Sequence, residues 1–262
     1  VTASKKEENI KKAAASVTVI TDRELGQMGA RNLADALKTV PGIGLTQNSL
    51  GGWEIESRGI KTPFSEKVLF MLNSHPADID LVNGGSTLAP SLDTVPVDNI
   101  KRVEIVRGPG SALYGANAFT ALINVITKEA EDIDGLEISA RGGSFDTQQY
   151  NILFGKSLGS GEPGSVLLGK DPETLDVTLN FNFYDTDGFD AFVRKDALMG
   201  TGYSDSWEKK YDAELKLGYR GLKFQGRYIR REAGAFFCLF LAFTDHSYLK
   251  DYFYTLGLNY FS

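Results

Sequence analysis

VDNIKRVEIVRGPGSALYGANAF, residues 97–119, is the stretch whose reading decides the fold. Its KRVEIVR segment, residues 101–107, carries the β-branched Val103, Ile105 and Val106 and reads as a short strand. Gly108-Pro109-Gly110 then breaks it. RGPGSALYG reads as a turn into a short helix. No Lys with Ser or Thr follows its glycines, so the phosphate-gripping parts of a P-loop are missing and it is not a nucleotide site. Beyond it, ALINVIT at residues 121–127 is a second strand. Upstream, strands are expected at residues 67–72, 53–58 and 43–47, separated by Gly, Pro, Asn and Ser. In NLADALKTVPGI, residues 32–43, Asn32 caps a helix whose Leu33, Ala36, Leu37 and Val40 share one face, and Pro41-Gly42 stops it. In SVTVITDREL, residues 16–25, a β-branched strand at 17–21 meets a helix capped by Thr21 or Asp22, with Glu24 in its first turn. Residues 1–131 therefore predict a small α+β domain.

Near Asp132 the chain changes character. Of its 29 aromatic side chains, 5 precede residue 132 and 24 follow. Residues 132–262 alternate with period two. Val177, Leu179, Phe181 and Phe183 interleave with Asp176, Thr178, Asn180 and Asn182. Tyr211, Ala213, Leu215, Leu217 and Tyr219 interleave with Asp212, Glu214 and Lys216. Leu222, Phe224 and Tyr228 alternate with Lys223, Gln225 and Arg227. Weaker versions at residues 136–142, 147–155 and 252–261 bring the expectation to six strands of about seven to ten residues. Two readings stay open on pattern alone. In a soluble sandwich the apolar face is a core. In a membrane barrel it faces lipid, with Tyr184, Tyr211, Tyr219, Tyr252 and Tyr260 as girdles and the charged face wet. Arg220-Gly221 is a tight turn, whereas 186–210 and 232–251 are long connections, the short-turn and long-loop sides of such a barrel. The long stretch 159–173 does not follow that rule.

Composition removes other classes. A net charge of −6 and a pI near 5.1 lack the surplus of Lys and Arg that phosphate neutralisation needs, so no nucleic acid partner is expected. Cys238 is the only cysteine, which excludes intrachain disulfides and thiolate zinc frameworks. His75 and His246 are the only histidines and neither has a ligand-like neighbour; both read as loop residues, and no cofactor or metal site is expected. The longest apolar run, residues 236–243, is far short of the roughly 18 residues of a membrane-spanning helix. Val1 is not followed by a signal-peptide pattern. No Ser-His-Asp, paired-carboxylate or metal constellation is present, so an enzyme is not expected.

The segments 16–25, 32–43, 55–60 (IESRGI), 68–76 (VLFMLNSHP), 97–119 and 122–128 (LINVITK) resemble, in order and spacing, the plug of TonB-dependent outer-membrane receptors. GGSFDTQQYNILFG, residues 142–155, resembles that family's first barrel hairpin. Asn73-Ser74 stands where the family usually has Asp-Gly, and Thr120-Ala121 where Gly is frequent. The resemblance implies a plug at residues 1–131 followed, at 132–262, by the first strands of an antiparallel outer-membrane β-barrel. About six strands cannot close a barrel of some 22, so a fragment is expected. It also implies that Arg58, Glu104 and Arg107 anchor the plug, the arginines reaching outward to glutamates on the inner wall. Ligand contacts are implied for the plug loops through Asn48, Ser49, Leu50, Trp53, Asp78, Asp80 and Asn83, whose Gly51-Gly52 and Asn83-Gly84-Gly85 also suit plain turns. Val1, Thr2 and Ala3 would lie beside the TonB box, of which only the tail remains or nothing. The implied function is TonB-energised uptake of a scarce ligand, a ferric siderophore, cobalamin or haem, in the outer membrane of a Gram-negative bacterium. The alternatives are a receptor for a protein ligand and a signalling receptor without transport.

Overall fold

The computed structural model describes residues 16–47, 53–60, 67–77, 79–82, 85–87, 95–108, 114, 118–159, 174–196, 198–234 and 248–260. The chain divides into two compact units, Val1–Thr127 and Lys128–Ser262.

In the first unit the strands are β1 (Ser16–Thr21), β2 (Ile43–Gln47), β3 (Trp53–Ser57), β4 (Val68–Leu72), β5 (His75–Pro76), β6 (Ile79–Val82), β7 (Gly85–Thr87), β8 (Ile100–Arg107) and β9 (Ala121–Thr127). One mixed sheet runs β1-β8-β9-β4-β5, with β4 parallel to β9; β2-β3 and β6-β7 are separate hairpins. Every residue of β9 is buried except the half-buried Ile126, which is why ALINVIT is nearly continuously apolar rather than alternating. Helix α1 (Asp22–Gln27) starts at Thr21, whose hydroxyl and backbone N–H form a reciprocal capping box with Glu24. Helix α2 (Leu33–Leu37) starts at Asn32, whose Oδ1 accepts from the Asp35 N–H at 2.9 Å. The expected face, Leu33, Ala36, Leu37 and Val40, is buried with Phe70, Ile105 and Ile123 in the main core.

Two turns explain unusual sequence pairs. Arg58 and Gly59 have φ of 55° and 76° between Ser57 and Ile60, and Asn73 and Ser74 have φ of 50° and 67° between the paired Leu72 and His75. Two-residue turns with both central φ positive favour Asn and Gly. Asn73 replaces the lost ease of the usual Asp-Gly with bonds: its Oδ1 accepts from the Thr127 N–H at 2.9 Å and its Nδ2 donates to Thr127 Oγ1 at 3.0 Å. Asn73→Ala is expected to destabilise the unit by about 1–3 kcal/mol, because a buried N–H loses its acceptor. Chemical denaturation checks this, and a change below about 0.5 kcal/mol counts against it.

The second unit holds helix α3 (Ala130–Ile133) and one antiparallel sheet of six strands, β10 (Gly135–Gly143), β11 (Thr147–Leu158), β12 (Leu175–Thr186), β15 (Glu208–Tyr219), β16 (Leu222–Gly234) and β17 (Tyr248–Tyr260), each paired with the next. A two-strand ribbon, β13 (Phe192–Val193) and β14 (Gly202–Tyr203), lies inside the long β12–β15 connection. The strands run 9 to 13 residues, longer than the periodic cores suggested. Backbone pairing persists where the apolar alternation gives way to Asp, Lys and Glu. The division at Thr127 lies four residues before the compositional boundary, because α3 packs on β11. There Gly155 leaves room for Ile133 and for the Ala130 carbonyl, and Lys216 Nζ donates to the Lys128 carbonyl at 2.9 Å.

Candidate functional site

Arg107 ends β8 and is half-buried. Its guanidinium turns back into its own unit, donating to the Pro41 carbonyl and, at 3.1 Å, to Thr18 Oγ1. This differs from the outward reach expected of it: the turn that follows α2 presents the Pro41 carbonyl as an acceptor for the guanidinium. Arg58, lifted out of its strand by the positive-φ turn, is exposed and donates to the Arg107 carbonyl at 3.0 Å. Gly108, at φ 138°, stands beside that Arg58 guanidinium. Arg58 is thus the exposed member of the pair and Arg107 the internal brace. Glu104 is fully buried and accepts from Arg102 Nε at 2.8 Å.

Trp53 opens β3 opposite Gln47 and packs against the main core, with the Lys38 ammonium 4.8 Å above its ring. Lys38 also reaches Asp35, which Arg31 Nε grips at 2.8 Å. Burial pushes the Asp35 carboxyl up, but the bond and charge of Arg31, with Lys38 beyond, outweigh it and hold the group below its ordinary value. A depressed carboxyl contributes stability above its unfolded pKa of about 3.9 and loses it as pH falls through the folded value. Acid titration of the wild type against Asp35→Asn is therefore expected to show the difference shrinking below about pH 4; a constant difference counts against the pairing. Asp80 is placed in β6 opposite Ser86. Val1, Thr2, Ala3, Asn48, Ser49, Leu50, Asp78 and Asn83 lie outside the described residues, as does most of the short-helix segment after Gly108.

The six-stranded sheet is inverted relative to a soluble protein. Its apolar face is exposed: Leu136, Ile138, Ile152, Leu179, Phe181, Tyr254, Leu256 and Leu258 are all solvent-accessible, Leu256 at 80%. Its polar face is buried: Asn151, Thr178, Asn180, Asn182, Asp212, Glu214, Lys216, Arg227 and Arg231 are each at most 7% exposed. Pairs join the buried polar groups. Arg227 and Asp212 form a two-point fork, Nε to Oδ1 at 3.0 Å and Nη2 to Oδ2. Gln225 Nε2 donates to Glu214 at 2.7 Å, and Arg231 Nε to Glu208 at 2.7 Å. The sequence shows these charges at mid-strand but not their partners, because a pair such as Asp212 and Arg227 depends on a cross-strand register that alternation alone does not fix. Among the described residues no group of His, Cys, Asp and Glu is arranged to hold a metal ion.

Comparison with known proteins agrees with this layout. Residues 9–122 match the family described as TonB-dependent Receptor Plug Domain. The chain is 34% identical over 203 residues to the vitamin B12 transporter BtuB of Vibrio vulnificus, covering 78% of this chain and 30% of that protein. Among solved structures it resembles the ferric-catecholate import receptor Fiu of E. coli K12, with a TM-score of 0.56 and 25% identity over 84% of this chain and 27% of that one. It also has the fold of the ferric enterobactin receptor PfeA of Pseudomonas aeruginosa, with a TM-score of 0.61 and 20% identity over 86% of this chain and 34% of that one. The chain spans about a third or less of these relatives. With a plug-family match, a mixed plug sheet and an inverted strand sheet on one polypeptide, the chain belongs to the TonB-dependent receptors, of which it carries the plug domain and β-strands of the barrel.

Proposed function

We propose that this chain is the plug-bearing part of an outer-membrane receptor that imports a scarce metal chelate or cobalamin-like ligand, with energy drawn from TonB, and that it is not an enzyme. The observation that carries the reading is the inverted sheet. Exposing Leu, Ile, Phe and Tyr along six strands while burying Asn, Asp, Glu, Lys and Arg is costly in water and favourable in lipid. A soluble sandwich would bury the opposite face. Relatives named for vitamin B12 and for ferric-catecholate uptake support the ligand class. In this reading Val1, Thr2 and Ala3 lie next to the TonB-contacting segment. Asn48, Ser49, Leu50, Trp53, Asp78, Asp80 and Asn83 contact ligand, and Arg58, Glu104 and Arg107 anchor the plug, with Arg58, held on the Arg107 carbonyl, reaching carboxylates of the wall.

The test is binding and uptake by the intact receptor of a ferric siderophore panel, cobalamin and haem, in cells with and without TonB. TonB-dependent uptake of a siderophore or cobalamin is expected. Tight haem binding lost in His75→Ala would overturn the ligand preference, since His75 is exposed in β5, and uptake unaffected by loss of TonB would overturn the energising step. Arg58→Gln is expected to raise passive leakage of small solutes while leaving plug stability within about 0.5 kcal/mol, as an exposed arginine should. Arg107→Gln is expected to destabilise the plug itself by about 1–3 kcal/mol, since two acceptors lose a charged donor.

A further inference from the structure

The cross-strand registers arrange the exposed face in level rows. Asp185 lies opposite Lys209, Lys209 opposite Glu232, and Glu232 opposite Lys250. Two residues nearer the tight Arg220-Gly221 turn, the row is Phe183, Tyr211, Arg230 and Tyr252, and the next is Phe181, Ala213, Tyr228 and Tyr254. Below these come Leu179, Leu215, Gly226 and Leu256, then Val177, Leu217, Phe224 and Leu258, then Leu175, Tyr219, Leu222 and Tyr260. Five rows two residues apart cover about 26 Å of strand, close to the height of a barrel's apolar band. The charged row therefore sits at the long-loop edge of that band, on the face that meets lipid.

We infer that Lys209, Arg230 and Lys250 form a binding site for the phosphate headgroup of an acylated anionic lipid of the outer leaflet. The inference rests on the membrane reading above. Three cations face two carboxylates. Glu232 Oε1 accepts from Arg230 Nη2 at 2.7 Å and lies 2.8 Å from Lys250 Nζ, and Lys209 Nζ lies 3.1 Å from Asp185. An Arg fork of five donors and an ammonium of three exceed what one shared carboxylate oxygen engages. Arg230 and Lys250 stand outside their shared carboxylate, with side chains 40% and 38% exposed against 21% for Glu232, while Lys209 and Asp185 are equally exposed at 39% and 41%. Each stands by an aromatic ring, Lys209 5.6 Å from Phe183, Arg230 5.9 Å from Tyr211 and Lys250 5.8 Å from Tyr252, which holds cations at a lipid–water boundary. A lipid suits the site better than a free anion because Tyr254, Leu256 and Leu258 continue directly below as a track for an acyl chain.

The experiment places the intact receptor in phosphatidylcholine nanodiscs doped with diphosphorylated lipid A or its dephosphorylated form and counts bound lipid by native mass spectrometry. Preferential retention of the phosphorylated form is expected. Arg230→Gln/Lys250→Gln should weaken it about 25-fold, as each basic residue at an anionic surface contributes roughly fivefold. Glu232→Gln, which removes the competing carboxylate and keeps the cations, should strengthen it several-fold; a purely structural ion ladder would not. Equal retention of the two forms, weakening in Glu232→Gln, or displacement by excess inorganic phosphate would overturn the site. Leu215→Trp separates this from the parent reading. If brominated acyl chains fail to quench it, the membrane reading falls; quenching without phosphate preference removes only the lipid site.

Discussion

Asp212→Ala in the intact receptor is expected to cost about 3 kcal/mol of stability, because the buried Arg227 guanidinium loses its forked partner, with Glu214 still opposite it across the strands. Both side chains are at most 2% exposed and share a two-point fork. Charge-assisted forks of this kind are strong while paired and expensive once broken. The pair itself need not stabilise the fold: replacing both at once, as in Asp212→Leu/Arg227→Met, should recover most of the loss, since two ions then no longer need desolvating. Urea unfolding in bilayers, followed by intrinsic fluorescence, measures both variants. A single-variant cost under about 1 kcal/mol would mean that water reaches the pair. The polar face would then be a wet surface rather than a dry lattice.

How far the sequence carries depends on which physical signal each feature leaves. The Asn32 cap, the Leu33–Val40 face and strand β9 follow from local chemistry, so residue types alone mark them. The six long strands are visible because period two survives whichever face is buried. The direction of the face is not visible in the same way: Leu179 and Phe181 read equally as core or as lipid contact, and only their exposure against the burial of Asn180 and Asn182 decides. Arg107 shows a different limit. A strand-end Arg followed by Gly suggests an outward guanidinium, but the Pro41 carbonyl and Thr18, 66 and 89 residues away in sequence, are brought beside it by the fold. Short strands such as β5 and β13 leave too few residues for any periodicity.

Gly155→Val should release helix α3 from the sheet of its own unit. A Cβ at Gly155 would stand 2.7 Å from Ile133 Cβ, 2.9 Å from the Ala130 carbonyl and 3.1 Å from Ile133 Cδ1. The first two are fixed by the backbone of α3 and cannot rotate away, so the helix must lift. Overpacking of this kind costs about 3 kcal/mol at the upper end of its usual range. The loss spreads along the segment, because α3 is otherwise tied down by Lys156 to Asp134 at 2.9 Å, Lys128 to Glu137 at 3.1 Å and Lys216 to the Lys128 carbonyl. Lys128 is the first residue of the second compact unit, and in the wild type its side chain is only 14% exposed. The expected result is tryptic cleavage after Lys128 in Gly155→Val, at least tenfold faster than in wild type, by roughly the opening cost that α3 forfeits. Gly257→Ala is the control, since a Cβ at Gly257 meets nothing within 4 Å. Cleavage at wild-type rate in Gly155→Val would show that α3 does not guard Lys128, and accelerated cleavage in both variants would point to general loosening of the sheet instead.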